Sequence, residues 1–444
     1  MPLDRRSLLA GTGAAALALP ARAAPLSHYG LDAAQFGLHP GAPVDQSARL
    51  QRAIDEAARQ RVPLALGPGV YRAGDVKLHA GAQILGVRGA TRLALAGGAL
   101  LFSADGGEGI TLAGLILDGG KQSPQRALVQ INGVKDLQIS DCTIENSAGN
   151  AVALQACAGR IETNTITQAG ENGLFCLDSR GLTIRGNTIR NCGNGGIRIW
   201  QSDKRHDGSI VAENRIEDIA ARSGGDGQNG NGINLFRAAG VLVRDNALKG
   251  CAFSAIRGNA ASSMQVLGNR CEDIAEVALY AEFDFEAAVI SGNIVDNAAV
   301  GVSVTNFDHG GRLAVVQGNL IRNLRSRRPQ GGPDAAGVGI AVEADSAVTG
   351  NVIERAPAMG ISVGAGRFLR DVTVSGNVIR ETGIGIGVSV APGAGHAAIT
   401  GNTIGEARQG AVVGMQWGKP VTGDLTKESA TRYSQLTVAN NTIR

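Results

Sequence analysis

Residues 182–189 read Leu182-Thr183-Ile184-Arg185-Gly186-Asn187-Thr188-Ile189, and the pattern apolar-x-apolar-x-Gly-Asn-x-Ile recurs along the chain. Its alternation of apolar and polar residues is typical of a short β-strand with one buried face. Close copies contain Gly-Asn pairs at Asn269, Asn293, Asn319, Asn351, Asn377 and Asn402, and looser copies centre on Asn164, Asn214, Asn246 and Asn441. Two earlier copies replace the asparagine by Leu115 and Cys142.

Many of these copies are accompanied by a second motif, Gly-apolar-x-apolar, as in residues 196–199. Two short strands cannot bury their apolar faces alone, but equivalent strands stacked about 4.8 Å apart pair their backbones and form a continuous core. The repeat therefore predicts an all-β fold, a single-stranded right-handed parallel β-helix (a solenoid) of about thirteen coils. We expect the asparagines to stack inward, each bonding the amides above and below, in the left-handed turn conformation that asparagine tolerates.

A helical segment precedes the repeats. Asp45 is a capping residue, and Leu50, Ile54 and Ala57 follow at helical spacing. We predict an N-terminal capping α-helix at about 45–60, inside a cap formed by residues 24–75 that covers one open end of the solenoid. The solenoid itself is expected to span residues 76–444.

The first 23 residues have the features of a targeting segment. Arg5 and Arg6 precede an apolar run that ends near Ala21-Arg22-Ala23, a small-residue cleavage site. The paired arginines predict a twin-arginine signal peptide over residues 1–23, recognised by the twin-arginine translocase, and a periplasmic or secreted protein. We expect no transmembrane segment in the mature chain, because no later apolar stretch approaches about 20 residues.

The composition excludes several classes of protein. Hydrophobic residues make up 43% of the chain, which argues against disorder, while 64 glycines and only 3% aromatic residues suit a narrow, stacked interior. The net charge is +3 and falls to about +1 without the signal, so nucleic-acid binding has no electrostatic basis. The six cysteines lack metal-ligand spacing and are interpreted as buried small residues, with a disulfide left open.

The lid helix, a Gly-Pro-Gly-x-Tyr turn at residues 67–71 and the Gly-Asn-x-Ile repeats resemble the pectate-lyase-like (pectin lyase fold) superfamily of right-handed β-helices. The twin-arginine signal combined with these repeats is similar to the twin-arginine-translocated repetitive protein family, which has no established activity. The superfamily resemblance implies polysaccharide lyases, hydrolases, epimerases and tailspikes, together with members that lack known catalysis. Its motifs indicate the fold and not the reaction.

A candidate site lies on the outward positions of the Gly-apolar-x-apolar strands, which become polar and aromatic between residues 198 and 345. Long insertions at residues 201–208, 222–231 and 325–336 flank this stretch. Flat apolar rings beside polar groups are how proteins bind sugars, so we expect a polysaccharide, in one version an acidic one, as the partner. The predicted substrate-binding residues are Arg198, Trp200, Asn234, Phe236 and Asn259.

Two chemistries fit the candidate catalytic residues Arg257, Tyr280, Glu282, Asp284, Asp308 and His309. In a lyase or epimerase, Arg198 or Arg257 neutralises a uronate carboxylate and Tyr280 or His309 exchanges the adjacent proton. Alternatively, Ca²⁺ held by Asp284 or Asp308 could neutralise the uronate carboxylate. The sequence requires no cofactor and defines no set of metal ligands. In a hydrolase, Glu282, Asp284 and Asp308 supply acid and base.

These residues leave the function open. One hypothesis is polysaccharide modification by an enzyme of the lyase, epimerase or hydrolase class. The alternatives are a non-catalytic, envelope-associated binding protein and a purely structural solenoid. The sequence does not decide whether the protein is an enzyme.

Overall fold

A computed structural model describes residues 30–122, 126–225, 227–328, 336–428 and 430–444, and these residues form a parallel β-solenoid. The predicted signal peptide lies outside the described residues. Each coil turns three times, so the solenoid has three faces. Equivalent strands of successive coils pair in parallel, as predicted for a β-helix of about thirteen coils.

The first face consists of the strands that precede the asparagine turn. It contains sixteen strands: Leu31–Asp32, Leu64–Ala65, Gln83–Leu85, Thr111–Ala113, Leu137–Ser140, Gly159–Glu162, Thr183–Arg185, Ile210–Ala212, Leu242–Arg244, Met264–Leu267, Glu286–Ser291, Arg312–Gln317, Ala344–Thr349, Arg370–Ser375, Ala397–Thr400 and Leu436–Ala439.

The second face follows the asparagine turn, and the third face contains the Gly-apolar-x-apolar strands. Arg270–Glu282 and Ile294–Thr305 run through both faces. The other strands of the second face are Gly69–Ala73, Thr91–Leu95, Leu115–Asp118, Thr143–Glu145, Thr165–Thr167, Thr188–Cys192, Arg215–Ile219, Ala247–Cys251, Leu320–Arg322, Val352–Glu354, Val378–Thr382, Thr403–Ala407 and Thr442–Ile443. Those of the third face are Val76–Lys77, Phe102–Glu108, Ala127–Lys135, Asn150–Gln155, Asn172–Leu177, Gly195–His206, Asn231–Ala239, Ile256–Asn259, Val338–Val342, Met359–Val363, Ile384–Ser389 and Val412–Gln416.

The asparagine stack is confirmed. Asn187 donates from Nδ2 to Oδ1 of Asn214 at 3.0 Å, and Asn214 donates in the same way to Asn246 at 2.9 Å. The expectation that these asparagines are themselves left-handed is wrong, because the turn lies one residue earlier. Gly186, for example, has a φ of 65°, which glycine adopts without a Cβ clash. The asparagine is then free to direct its amide inward.

The two ends of the solenoid are covered differently. The predicted capping helix is present at Ser47–Gln60, with Leu50, Ala53, Ile54 and Ala57 buried against the first coils. At the other end, Lys419–Asp424 pairs antiparallel with the last strand of the third face. Three short 3₁₀ turns complete the described elements, at Ala33–Phe36, Phe307–His309 and Ala430–Arg432.

The interior consists of stacked aliphatic residues, since every face directs alternate side chains inward. All six cysteines are buried there as free thiols, in agreement with their interpretation as small apolar residues. Burial raises the pKa of Cys142 to about 11 and that of Cys192 to about 12. Within the described residues, no helix is long and apolar enough to cross a bilayer.

Candidate functional site

The third face carries two outward rows of side chains, because its strands pair in register and alternate residues point into the core. One row consists of Phe175, Arg198, Asn234, Arg257, Tyr280 and Ser303. The other row lies two residues further along each strand and consists of Leu177, Trp200, Phe236, Asn259, Glu282 and Thr305. The structure thus brings together eight of the eleven candidate site residues on neighbouring coils.

Three aromatic rings contact one another in series at one end of these rows, and we call them the first ladder: Phe175, Trp200 and Phe236. The centroids of Phe175 and Trp200 are 5.6 Å apart, and those of Trp200 and Phe236 are 5.5 Å apart. The guanidinium of Arg198 lies 5.2 Å from the Trp200 ring centroid, and that of Arg237 lies 4.8 Å from the Phe236 centroid. Rings and guanidinium groups therefore form one surface with cation–π contacts.

A cleft of about 230 Å³ opens beside the first ladder. Trp200 and Phe236 form its apolar side, while the amides of Asn234 and Asn259 face it from neighbouring coils. Trp200 donates from Nε1 to Oδ1 of Asn234 at 2.8 Å, which fixes the orientation of the indole ring. The cleft therefore combines flat apolar rings with hydrogen-bonding amides, the composition of a small-ligand site.

The insertion that follows the second-face strand Arg215–Ile219 forms part of the cleft wall through Gly227 and Gln228. Gly227 has a φ of 115°, and a Cβ there would lie 1.5 Å from Nη1 of Arg257. Only glycine lets the backbone approach that guanidinium so closely. The loop and the third face are consequently packed as one unit.

Arg198 is buried and forms no ion pair among the described residues, although the negative charge of Glu171 partly stabilises its charged form. Its Nη2 donates to the Asn194 carbonyl at 3.1 Å and to Oδ1 of Asn229, whereas its Nε has no partner among the described residues. Burial lowers the pKa of Arg198 to about 10, so the guanidinium stays protonated at neutral pH. A buried cation with an unused donor is costly for the fold and suits an anionic ligand.

Arg257 has a different environment, since its charge is already neutralised. Its Nη2 donates to Oε2 of Glu282, and its Nη1 lies 4.0 Å from Oε2 of Glu276. Arg257 and Glu282 are both buried. The predicted role of Arg257 in binding a uronate carboxylate would require this internal pair to open.

Tyr280 lies beside the ion pair, with its ring centroid 5.2 Å from the Arg257 guanidinium. Burial, followed by the neighbouring Glu282 carboxylate, raises the pKa of Tyr280 well above its usual value. The phenol is therefore protonated at neutral pH. In this state it can donate a proton or a hydrogen bond, but it cannot act as a base.

Asp284, Asp308 and His309 form a separate, exposed group. The strand ends at Glu282, and Phe283 and Asp284 have positive φ values of 47° and 46°, so Asp284 turns away to pair with Lys204. Nε2 of His309 lies 3.6 Å from Oδ2 of Asp308, and both side chains are largely exposed. Glu282 and Asp284 therefore do not form the single-strand carboxylate pair that the alternation suggested.

Two buried polar residues, Asn229 and Glu343, and the half-buried Glu276 were not among the predicted site residues. Glu343 directly follows the strand Val338–Val342 and accepts a hydrogen bond from the Phe307 amide at 2.7 Å. Burial raises its pKa. Its outward position was visible in the repeat, but its burial was not. Asn229 lies in an insertion, and Glu276 lies at an irregularity in strand pairing. The repeat does not predict side-chain positions at either place.

The described residues contain no group of three or more His, Cys, Asp or Glu side chains that could hold a metal ion. Ca²⁺ prefers six to eight oxygen ligands, whereas Asp284 is paired with Lys204 and Asp308 lies beside His309. The predicted Ca²⁺ alternative therefore has no support from this geometry.

Two known families match parts of the chain. The family described as "Right handed beta helix region" matches residues 127–224, and the one described as "Periplasmic copper-binding protein (NosD)" matches residues 219–428. No curated protein matches the sequence.

The described residues do not fit a copper site. Copper binds to accessible imidazole, thiolate or thioether ligands. Here the cysteines are buried, and burial raises the pKa of Cys251, for example, to about 12. The described histidines do not group with other ligands of that kind.

Solved structures share the architecture at low identity. The chain is similar to bacteriophage phi29 gene product 12, with 12% identity and a TM-score of 0.55 over 90% of this chain, but it spans only 58% of that protein's length. The A-module of mannuronan C-5 epimerase AlgE4 from Azotobacter vinelandii gives 16% identity and a TM-score of 0.48, covering 65% of this chain and 94% of that one. The Streptococcus pneumoniae surface adhesin PfbA gives 13% identity and a TM-score of 0.42, covering 89% of this chain and 93% of that one. Together, the family matches and the solenoid identify the architecture of this chain as a right-handed parallel β-helix.

Proposed function

We propose that this protein binds a linear polysaccharide along the third face of its solenoid. The observation that carries the proposal is the first ladder, Phe175, Trp200 and Phe236, beside a cleft lined by amides. Only 3% of the chain is aromatic, so three contacting rings on an outward face are a marked local concentration. Sugar rings pack their apolar faces on such rings while their hydroxyls bond to amides.

The charges at the ladder favour an acidic polysaccharide. Arg198 and Arg237 lie over its rings, and neither forms an ion pair with a carboxylate within the described part of the chain. Each guanidinium is thus able to attract a carboxylate of the ligand. Arg257, by contrast, is neutralised by Glu282. A polyuronate has sugar rings that can pack on the aromatic side chains and carboxylates that can pair with the two guanidinium groups.

Binding is tested with Trp200→Ala and a matched control, Val289→Ala, which removes an exposed apolar side chain from the first face. Polygalacturonate, alginate and neutral dextran are titrated into each protein by calorimetry. We expect one polyuronate to bind the unmodified protein and the control alike, and Trp200→Ala to weaken binding by about tenfold or more, equal to about 1.4 kcal/mol. Equal affinity of Trp200→Ala and the control would overturn the proposal, as would binding of none of the three polymers.

A second candidate function, glycoside hydrolysis, is favoured by the contrast between Glu282 and Glu343. Glu282 forms an ion pair with Arg257, whereas burial raises the pKa of Glu343 and favours its protonated form. Two carboxyl groups with contrasting environments can act as base and acid. Two ladder steps separate their strands, which places their α-carbons about 9.6 Å apart. Carboxyl groups on strands at this separation can reach the distance of about 6.5–9.5 Å found between the carboxyl groups of inverting glycosidases.

Hydrolysis is tested by the release of reducing ends from the polymer that binds. If Glu343 is the acid, Glu343→Gln should abolish release while leaving binding intact. The lyase or epimerase alternative has less support, because Arg257 is paired and Tyr280 is held protonated. Unsaturated products that absorb in the ultraviolet would favour the lyase reaction and contradict hydrolysis.

We propose that the protein works outside the cytoplasm, after twin-arginine export of a chain that has a cap at residues 24–75 and a solenoid at 76–444. The paired Arg5 and Arg6 support this, and one matching family is described as periplasmic. Replacing both arginines by lysine should leave uncleaved protein in the cytoplasm. Unchanged export of that variant would point to a different route.

A further inference from the structure

A second row of aromatic rings follows the third face beyond the first ladder. We call Phe307, Phe368 and Trp417 the second ladder. The centroids of Phe307 and Phe368 are 6.5 Å apart with an interplanar angle of 89°, and those of Phe368 and Trp417 are 6.0 Å apart with an angle of 85°. All three residues lie in turns that follow third-face strands, Ile294–Thr305, Met359–Val363 and Val412–Gln416.

Trp417 occupies a position that folding alone does not explain. It lies in the turn between the antiparallel strands Val412–Gln416 and Lys419–Asp424, with a φ of 47°. Bulky residues rarely adopt this left-handed conformation, which glycine and asparagine tolerate. The side chain is nevertheless 62% exposed. An exposed apolar ring in a strained backbone contributes little to the core, so a role in binding accounts for it better.

The backbone beneath the ring is adapted to it. Gly366 has a φ of 57°, and a Cβ at this position would lie 2.4 Å from carbon atoms of the Trp417 ring. The indole therefore lies against bare main chain, and one of its faces remains open. A larger residue at position 366 would displace the ring.

The second ladder repeats the chemistry of the first. The Arg370 guanidinium lies 4.4 Å from the Phe307 centroid, and the Arg367 guanidinium lies 5.2 Å from that of Phe368. Arg370 is paired with Asp345, but Arg367 is exposed. Both ladders thus combine a series of contacting rings with guanidinium groups, which is the combination that we propose for a polyuronate.

The two ladders are spaced along the solenoid axis. Three ladder steps separate the strand of Phe236 from the strand that precedes Phe307, which corresponds to about 14 Å. Eight steps separate the strand of Trp200 from the strand that precedes Trp417, or about 38 Å. A linear polymer that lies along the third face would therefore reach both.

We propose that the second ladder is a second subsite for an acidic polysaccharide, engaging the same chain as the first ladder further along the solenoid. This inference rests on the proposed binding function. Once the first ladder holds one part of a polymer, the second contact forms within the complex, so a long chain binds more tightly than a short one.

Trp417→Asn tests the inference without endangering the fold. Asparagine followed by Gly418 is a preferred pair for a two-residue hairpin turn with positive φ, so the turn is retained while the ring is removed. The ligands are a polyuronate and oligouronides too short to reach from Trp200 to Trp417. We expect Trp417→Asn to weaken polymer binding by about tenfold or more. Short oligouronides should still bind the first ladder.

The two tryptophans of the chain also provide separate reporters. In Trp200→Phe the remaining indole is Trp417, whose fluorescence should change when the polymer is added. An unchanged polymer affinity in Trp417→Asn, or no fluorescence change in Trp200→Phe while the polymer binds, would overturn the second subsite and leave the first intact. Failure of the unmodified protein to bind any polyuronate would instead refute the proposed function itself.

Discussion

The asparagine stack makes a sharp prediction about stability, best tested at Asn293 in the middle of the solenoid. Its Nδ2 donates to Oδ1 of Asn319 at 2.9 Å and to the Val266 carbonyl at 3.0 Å. Its Oδ1 accepts from the backbone amide of Asn269 at 2.8 Å and from Nδ2 of Asn269 at 3.0 Å. Asn293→Ala removes all four bonds in a place that water does not reach.

The cost can be worked out from the groups left behind. After the substitution, Nδ2 of Asn269 still donates to the Val243 and Leu267 carbonyls. The backbone N–H of Asn269 is therefore the main donor left without a partner. A buried unpaired donor costs about 1–3 kcal/mol, and each other lost bond costs about 1 kcal/mol. We therefore expect Asn293→Ala to lower the free energy of unfolding by about 4–6 kcal/mol.

Asn441 provides the matched control, because its Oδ1 accepts the same two bonds at the end of the stack. Its Oδ1 accepts from the amide and Nδ2 of Asn402 at 3.0 and 2.9 Å, but these groups are only part-buried. Water can replace the lost partner there, so Asn441→Ala should cost about 1 kcal/mol. Urea unfolding followed by circular dichroism measures both variants. Equal destabilisation of the two variants would refute the claim that burial makes the stack stabilising.

Three further predictions concern buried charged groups and thiols. The raised pKa of Glu343 means that its ionisation opposes folding, so the wild type loses stability as pH rises from 4.5 through the folded pKa. Glu343→Gln should accordingly raise the midpoint of thermal unfolding at neutral pH but leave it unchanged below pH 4.5. An equal rise of the midpoint at neutral pH and below pH 4.5 would contradict this explanation. Glu282→Gln removes the closer carboxylate of the buried Arg257 and leaves only Glu276, at 4.0 Å. It should cost up to about 3–5 kcal/mol in urea unfolding, which Arg257→Met should largely restore in the double variant. Since all six thiols are buried, a thiol reagent should label them only after denaturation, and rapid labelling of the native protein would contradict this.

The fold could be predicted from the sequence because the repeat imposes the same requirement on every coil. Each repeat has an aliphatic residue two positions before its Gly and an asparagine directly after it. All copies can bury these residues only if successive coils stack in register, and Asn187, Asn214 and Asn246 are stacked in this way. The local backbone conformation was harder to predict from the sequence. Which residue of the turn is left-handed depends on the direction of the asparagine amide, and this became clear only from Gly186 and its counterparts.

The candidate site was predictable only where strands continue. Alternation correctly places Trp200, Tyr280 and Glu282 on the outward face, because strand geometry leaves no other choice. The same rule fails one residue beyond the strand, at Phe283 and Asp284, where positive φ values end the alternation. The burial of the site side chains could not be predicted either, because it depends on insertions whose path the repeat does not specify.

The third face is where this chain departs from what its fold requires. A solenoid needs its inward residues for stability, whereas outward residues are free to be polar and small. Yet Arg198 is buried with an unused donor, Gly227 lies under the Arg257 guanidinium, and Trp417 exposes its ring from a left-handed turn. Each of these is unfavourable for folding, and all three lie along one face. Such a concentration is expected if selection acts on a ligand that runs the length of that face, and it favours the proposed binding role over that of a purely structural solenoid.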